Sequence, residues 1–189
     1  LMNRFLAPFS TVTNYDGSKT FYLLGTDQLG RDLFARIIYG GRISLFAGIV
    51  SVGISMICGV TLGAIAGFVG GKVDNVIMRC CDVLMAVPNM LMSMAIVSAL
   101  GQGTFKMLIA LSVSGIPRYA RTTRAQMLTL RNQEYVEAAR CCGTSTLRIL
   151  IKHMLPNGIG PVIVSATLGL GGTILSIASL GFLGIGIAS

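Results

Sequence analysis

Long apolar runs alternate with short polar segments along this chain. From Ile43 to Gly71 there is no charge, a length that crosses a bilayer core of about 30 Å with room for tilt. Inside this run Gly59, Gly63, Gly67 and Gly71 recur every four residues. Helices in lipid gain little by burying apolar surface against each other, so glycines that admit a neighbouring backbone predict a helix-packing face. A second uncharged run, Val83–Phe105, follows, and Pro88 predicts a kink in its first half. The third, Met107–Pro117, is too short to cross by itself. It reaches about Arg124 if Arg118, Arg121 and Arg124 snorkel at one end. The last run, Met154–Ser189, is also free of charge, and Gly160-Pro161 opens its helix. Along it Ser165, Gly169, Gly172, Ser176 and Ser179 fall on one face, a stripe suited to lining a hydrated path or to close helix contact. The pattern predicts an all-α, polytopic transmembrane helix bundle with spans at about 43–69, 80–101, 105–124 and 158–182.

The polar segments predict the connections. Residues 1–22 read as irregular, with a turn at Asn14-Tyr15-Asp16-Gly17. Gln28–Tyr39 reads as an interfacial amphipathic helix capped by Thr26 or Asp27, with Asp27–Arg31 and Asp32–Arg36 as i,i+4 pairs. Arg79 and Asp82 are expected to pair at i,i+3, and Gly101–Thr104 to form a tight turn. The longest polar segment is Glu134–Asn157. Its first half predicts a helix with Tyr135, Ala138, Ala139 and Cys142 on one face, supported by the pairs Arg131–Glu134 and Glu137–Arg140. Gly143 stops that helix in a left-handed conformation. Thr144 or Ser145 caps a second helix over Leu147–Met154, which Pro156 limits.

Composition agrees with a membrane protein. The chain has 189 residues, 53% of them hydrophobic and only 12% charged, where soluble domains carry about 25%. Its net charge of +8 fits a positive-inside bias and attraction to anionic lipid, since no basic-aromatic interleaving suggests nucleic acid. Cations concentrate in Lys72–Arg79 and Arg118–Lys152, which places those segments in the cytoplasm and residues 1–41 and Gly101–Lys106 outside. The five cysteines, Cys58, Cys80, Cys81, Cys141 and Cys142, lack the spacing of a metal site. The single histidine, His153, has no acid-base partner at motif spacing. No catalytic constellation, cofactor or metal site is expected.

Glu137-Ala138-Ala139, three residues, Gly143, nine residues, His153, one residue, and Leu155-Pro156 resemble the EAA loop of the membrane subunits of binding-protein-dependent ABC importers. The family pattern has isoleucine where His153 stands, a departure associated with the peptide-importer branch. A second stretch, LGTDxxGRDxxxRxxxGxRxSL from Leu24 to Leu45, is similar to the segment before the second span in dipeptide, oligopeptide and nickel importer subunits. Those subunits usually carry His-Pro just before it, where this chain has Tyr22-Leu23.

The resemblance implies the type I permease fold of ABC importers. It implies an extracytoplasmic segment at 1–42, a permease domain at 43–182 with a cytoplasmic coupling loop at 125–157, and an extracytoplasmic segment at 183–189. Members of this branch carry six spans, so a span is expected to be missing at each end. It also implies a bacterial inner-membrane subunit, not an enzyme, that forms the pathway for peptides or similar small solutes. Its partners would be a second permease subunit, two cytoplasmic ATPases, an extracytoplasmic solute-binding protein and the lipid bilayer. Glu137, Ala138, Ala139, Gly143, Leu155 and Pro156 would couple to the ATPase. No G-x4-G-K-[ST] phosphate loop is present for hydrolysing ATP within the chain. Two rival classes are a stand-alone channel or ion-coupled carrier, and a membrane enzyme. The carrier predicts ionisable residues or broken helices at mid-membrane. The spans as drawn have no central charge, and one histidine is too few for the enzyme.

Overall fold

The computed structural model describes residues 4–13, 17–101 and 103–184. The chain divides into two compact units, Leu1–Phe46 and Ala47–Ser189.

The first unit contains an antiparallel hairpin, β1 (Ser10–Thr13) with β2 (Lys19–Tyr22), in the register Ser10 to Tyr22. The sequence pattern misses it, because four-residue strands are too short for alternation to show. The turn expected at Asn14–Gly17 falls on residues 14–16, which lie outside the described residues. Beyond the hairpin the chain folds tightly between Gly25 and Asp32. Asp32 Oδ1 accepts the N–H groups of Phe34 (2.9 Å) and Ala35 (3.5 Å), an N-cap that starts α1 (Leu33–Val69). The expected interfacial helix over Gln28–Tyr39 is therefore not separate. Its apolar half is the first part of α1, which at 37 residues runs about 55 Å.

In the second unit, helices α2 (Gly71–Ala86), α3 (Asn89–Leu100), α4 (Thr104–Leu130) and α5 (Glu134–Cys141) follow. Pro88 does more than kink the second apolar run: α2 and α3 meet at 89°. Pro88 cannot donate to the preceding turn, and Val87 before it takes an extended conformation. Next come α6 (Thr146–Arg148), a π-helical turn (Ile149–Met154), α7 (Leu155–Gly158) and α8 (Gly160–Phe182). Pro156 does not stop the chain as expected. The widened turn before it, where Leu155 N–H donates to Leu150 O, absorbs the missing proline donor, and helical geometry continues toward α8.

Helix α4 is the hub, touching α2, α3, α7 and α8. It meets α1 through glycine. A Cβ at Gly59 would lie 2.5 Å from Tyr119 Cβ, one at Gly63 would strike Ala120 O, and one at Gly67 would lie 2.6 Å from Met127 Cβ. Gly71 departs from the row. It has open space beside it and φ +60°, so it serves the turn into α2 and packs against nothing. Three apolar layers lie along α4: Met107 and Leu111 with Ala47, Val97 and Leu180; Tyr119 with Val52 and Val162; Met127 with Ala64, Val136 and Met154. α1 and α8 are each long and apolar enough to cross a membrane, as is the bent α2–α3 pair if taken as one span. α4 falls short by composition because of its arginines.

Candidate coupling surface and pathway cavity

The loop expected to couple begins with α5. Its C-terminus closes in a Schellman arrangement: Gly143 N–H donates to Arg140 O (2.9 Å) and Thr144 N–H to Ala139 O (3.1 Å). Gly143 has φ +72°, and nothing lies within 4 Å of where its Cβ would stand. Glycine is needed here for its backbone angle and not for space. Ser145 occupies the N-cap position of α6, but no side-chain bond caps that helix.

The loop is anchored on a different face from the expected one. Val136 is fully buried, and Ala139 and Leu155 pack around it with Ile149 and Met154. Tyr135, Ala138 and Cys142 are exposed. Glu137, Gly143 and Pro156 are exposed as well. The motif therefore divides in two. Ala139 and Leu155 hold the loop to α4, while Glu137, Ala138 and Pro156 face outward. Neither Glu134 nor Glu137 forms an ion pair among the described residues, so the expected pairs with Arg131 and Arg140 are not made. Beside them Leu147 (66% exposed) and Ile151 (54%) form an open apolar ridge flanked by Arg148 and Lys152, residues the motif does not include. Their i,i+4 spacing was the available signal.

The three arginines of α4 do not share one fate. Arg124 Nη2 donates to Asp74 Oδ2 at 2.5 Å, and Arg124 Nε pairs with Asp74 Oδ1. Arg121 Nη2 meets Asp82 Oδ1 at 2.5 Å. Both pairs bind α4 to α2, so Asp82 partners Arg121 and not the expected Arg79. Arg118 is exposed, and its guanidinium has no hydrogen-bond or ion-pair partner among the described residues.

Arg118 borders a cavity of about 220 Å³ walled by α1, α3, α4 and α8. Ser55, Asn89, Ser93, Ser114, Thr173 and Ser176 give it a polar lining, and Gly169 and Gly172 open its α8 side. Three stripe residues, Gly169, Gly172 and Ser176, thus meet at one cavity, while Ser165 and Ser179 do not line it. A Cβ on Gly169 would stand 2.6 Å from Tyr119 Oη, whereas Gly172 has open space. Off the stripe, Val162 is 1% exposed in the Tyr119 layer, and Ile174 Cγ1 would lie 3.3 Å from a Cβ at Gly48, so both are tertiary contacts where leucine would disturb packing.

The profile of binding-protein-dependent transport system inner membrane components matches residues 59–188. This chain belongs to that family. The match covers the loop, α4, α8 and the cavity lining apart from Val52 and Ser55 of α1. Among curated relatives, the dipeptide transport system permease protein DppC of Haemophilus influenzae is 44% identical, covering 91% of this chain and 58% of the relative. The oligopeptide transport system permease protein OppC of Bacillus subtilis is 42% identical over 86% of this chain and 53% of the relative. The glutathione transport system permease protein GsiD of Pectobacterium atrosepticum is 40% identical over 97% and 63% respectively. The chain spans about three-fifths of the length of these curated relatives. Membership makes it an all-helical membrane permease component, a class of transport parts and not of enzymes.

Proposed function

We propose that this chain is a permease subunit of a bacterial ATP-driven importer for peptides or similar small solutes. Its relatives named for dipeptide, oligopeptide and glutathione transport support the solute class. The partners are a second permease subunit, two cytoplasmic ATPases and an extracytoplasmic binding protein. The chain crosses the inner membrane four times, by α1, by α2 with α3, by α4 and by α8. The α5–α6 loop lies in the cytoplasm; residues 1–42 and 183–189 lie outside, and of the latter only 183 and 184 are described.

One observation carries the coupling assignment. The loop is fastened to the bundle through Val136, Ala139 and Leu155 while Glu137 and the Leu147–Ile151 ridge stay unpartnered. A surface rigidly tied on one side and bare on the other can receive a push and pass it to α4. ATP-driven closure of the ATPases would move this loop, and the differential contacts in the two states would shift the access equilibrium. Glu137, Ala138, Gly143 and Pro156 present that surface, and Ala139 and Leu155 hold it.

Broken α2–α3 and unpaired Arg118 are features an ion-coupled carrier would also show. ATP dependence separates the two. In proteoliposomes holding the whole complex, solute uptake should require ATP and ignore an imposed ion gradient. Glu137→Lys and Gly143→Val should leave the complex in the membrane but cut ATPase co-purification and uptake at least tenfold. Full ATPase retention in both variants would remove the loop as the dock.

A further inference from the structure

Arg118 is the fifteenth of the 27 residues of α4, about 20 Å from either end. Its neighbour Tyr119 packs on Gly59, which is seventeenth of the 29 residues in the charge-free run Ile43–Gly71. Both measures set Arg118 near mid-membrane. An ionisable group at that depth is costly and normally finds a partner or a hydrated cavity. Arg121 and Arg124, one and two turns further on, have found carboxylates on α2. Arg118 has none, and no carboxylate lines the cavity it borders.

The other lining groups fix what would suit that charge. The hydroxyls of Thr173 and Ser176 donate to carbonyls of their own helix, Gly169 O (2.9 Å) and Gly172 O (3.0 Å), which leaves their oxygens free to accept, while Ser93 Oγ, which donates to Asn89 O (2.9 Å), lies 3.1 Å from Ser114 Oγ. Asn89 makes no side-chain hydrogen bond among the described residues, which leaves an amide donor beside a guanidinium with five N–H groups. Donors of positive charge on one side and hydroxyl acceptors on the other match a carboxylate adjacent to an amide N–H. The volume, roughly seven waters at about 30 Å³ each, admits that group and little more. We propose that this cavity is a binding point for the carboxylate end of a small amide-containing solute, with Arg118 as its charge partner.

This deepens the importer reading and rests on it for the origin of the solute, but its test does not need transport. In the assembled full-length complex with Cys58, Cys80, Cys81, Cys141 and Cys142 replaced, Ser176→Cys and separately Ser93→Cys report on the cavity. An anionic methanethiosulfonate should react several-fold faster than a cationic one, and Arg118→Gln should bring the rates to parity while Arg118→Lys keeps the preference. N-acetylalanine at millimolar concentration should protect the thiol, and its uncharged amide should not. Protection compared between these two probes in the Arg118 background stands even if Arg118→Gln fails to assemble. Equal protection by both probes, or none by either, would overturn the proposal, as would rates indifferent to residue 118. Absence of ATP-driven uptake by the unmutated complex would instead overturn the importer reading, with the charge preference of the cavity still readable.

Discussion

Gly25–Asp32 and Glu134–Gly143 each turn the chain through a glycine with φ above +70°, and there the likeness ends. In the first, the threonine and both aspartates of the Thr-Asp-x-x-Gly-Arg-Asp pattern are used locally. Thr26 Oγ1 accepts Leu6 N–H at 3.0 Å. Asp27 Oδ1 accepts Leu29 N–H (2.8 Å) and Arg31 N–H (2.9 Å), Asp27 Oδ2 pairs with Arg36 at 2.5 Å, and Asp32 caps α1. In the second, the backbone closes on itself and the carboxylates of Glu134 and Glu137 are left bare. A recognisable pattern can thus encode a fold or a surface, and the partner list tells which. The first pattern has structure enough to explain it; the second leaves its carboxylates free, as the proposed docking role requires.

The strongest way to break this comparison is at the two glycines. A Cβ on Gly25 would collide with Leu6 O, whereas one on Gly143 meets nothing. Gly25→Ala should open the first unit to limited proteolysis in intact membranes. Gly143→Ala faces only the left-handed backbone, about 1–2 kcal/mol, and should leave the protease pattern unchanged. Equal sensitivity of both variants would show that φ alone governs the two turns.

A smaller effect is expected at the carboxylates. Asp27→Asn gives up the ion pair with Arg36 and weakens two backbone bonds, so the first unit should lose protease protection at a lower temperature. Glu137→Gln touches no partner and should change thermal protection within about ±0.5 kcal/mol, while lowering ATPase co-purification. Loss of stability in Glu137→Gln would mean that the loop surface is structural after all.

The smallest effect is in pH. The Arg31 N–H bond above all, with those of Leu29 and Arg36, holds Asp27 below its ordinary value of 3.8 against the opposing effect of desolvation. A carboxylate depressed in the folded state adds stability that is complete above its unfolded pKa and fades as pH falls through the folded one. Protection of the first unit should be flat from neutral pH to about 5 and decline below 4. Asp27→Asn should lack that component of the decline; an identical acid limb in both proteins would remove Asp27 as its source.

Reading the sequence reached the helical class, the apolar runs, the loop turn at Gly143 and the glycine row as far as Gly67. Its errors share a cause. Arg79–Asp82, Asp32–Arg36 and the Tyr135 face were inferred from neighbours along one helix, whereas Arg121, Asp27 and Val136 find their partners across the fold. The continuity of α1 was hidden because Asp32 caps a helix whose polar first turns look like a separate element. The contact of Tyr119 with Gly59 joins α4 to α1, and no pattern in α4 alone contains it.

The glycine row has a mechanical consequence. Screwing α1 along α4 by one residue, about 1.5 Å with a turn of about 100°, would bring Val60, Ala64 and Phe68 to the three contacts that now admit no methyl group. Even a shift of four residues, about 6 Å, would return glycine to only two of the three contacts, because α1 ends at Val69. The two helices form an indexed joint, locked against small axial slip, so they travel as one strut. Any change of shape in the bundle must then fall outside the contact between α1 and α4.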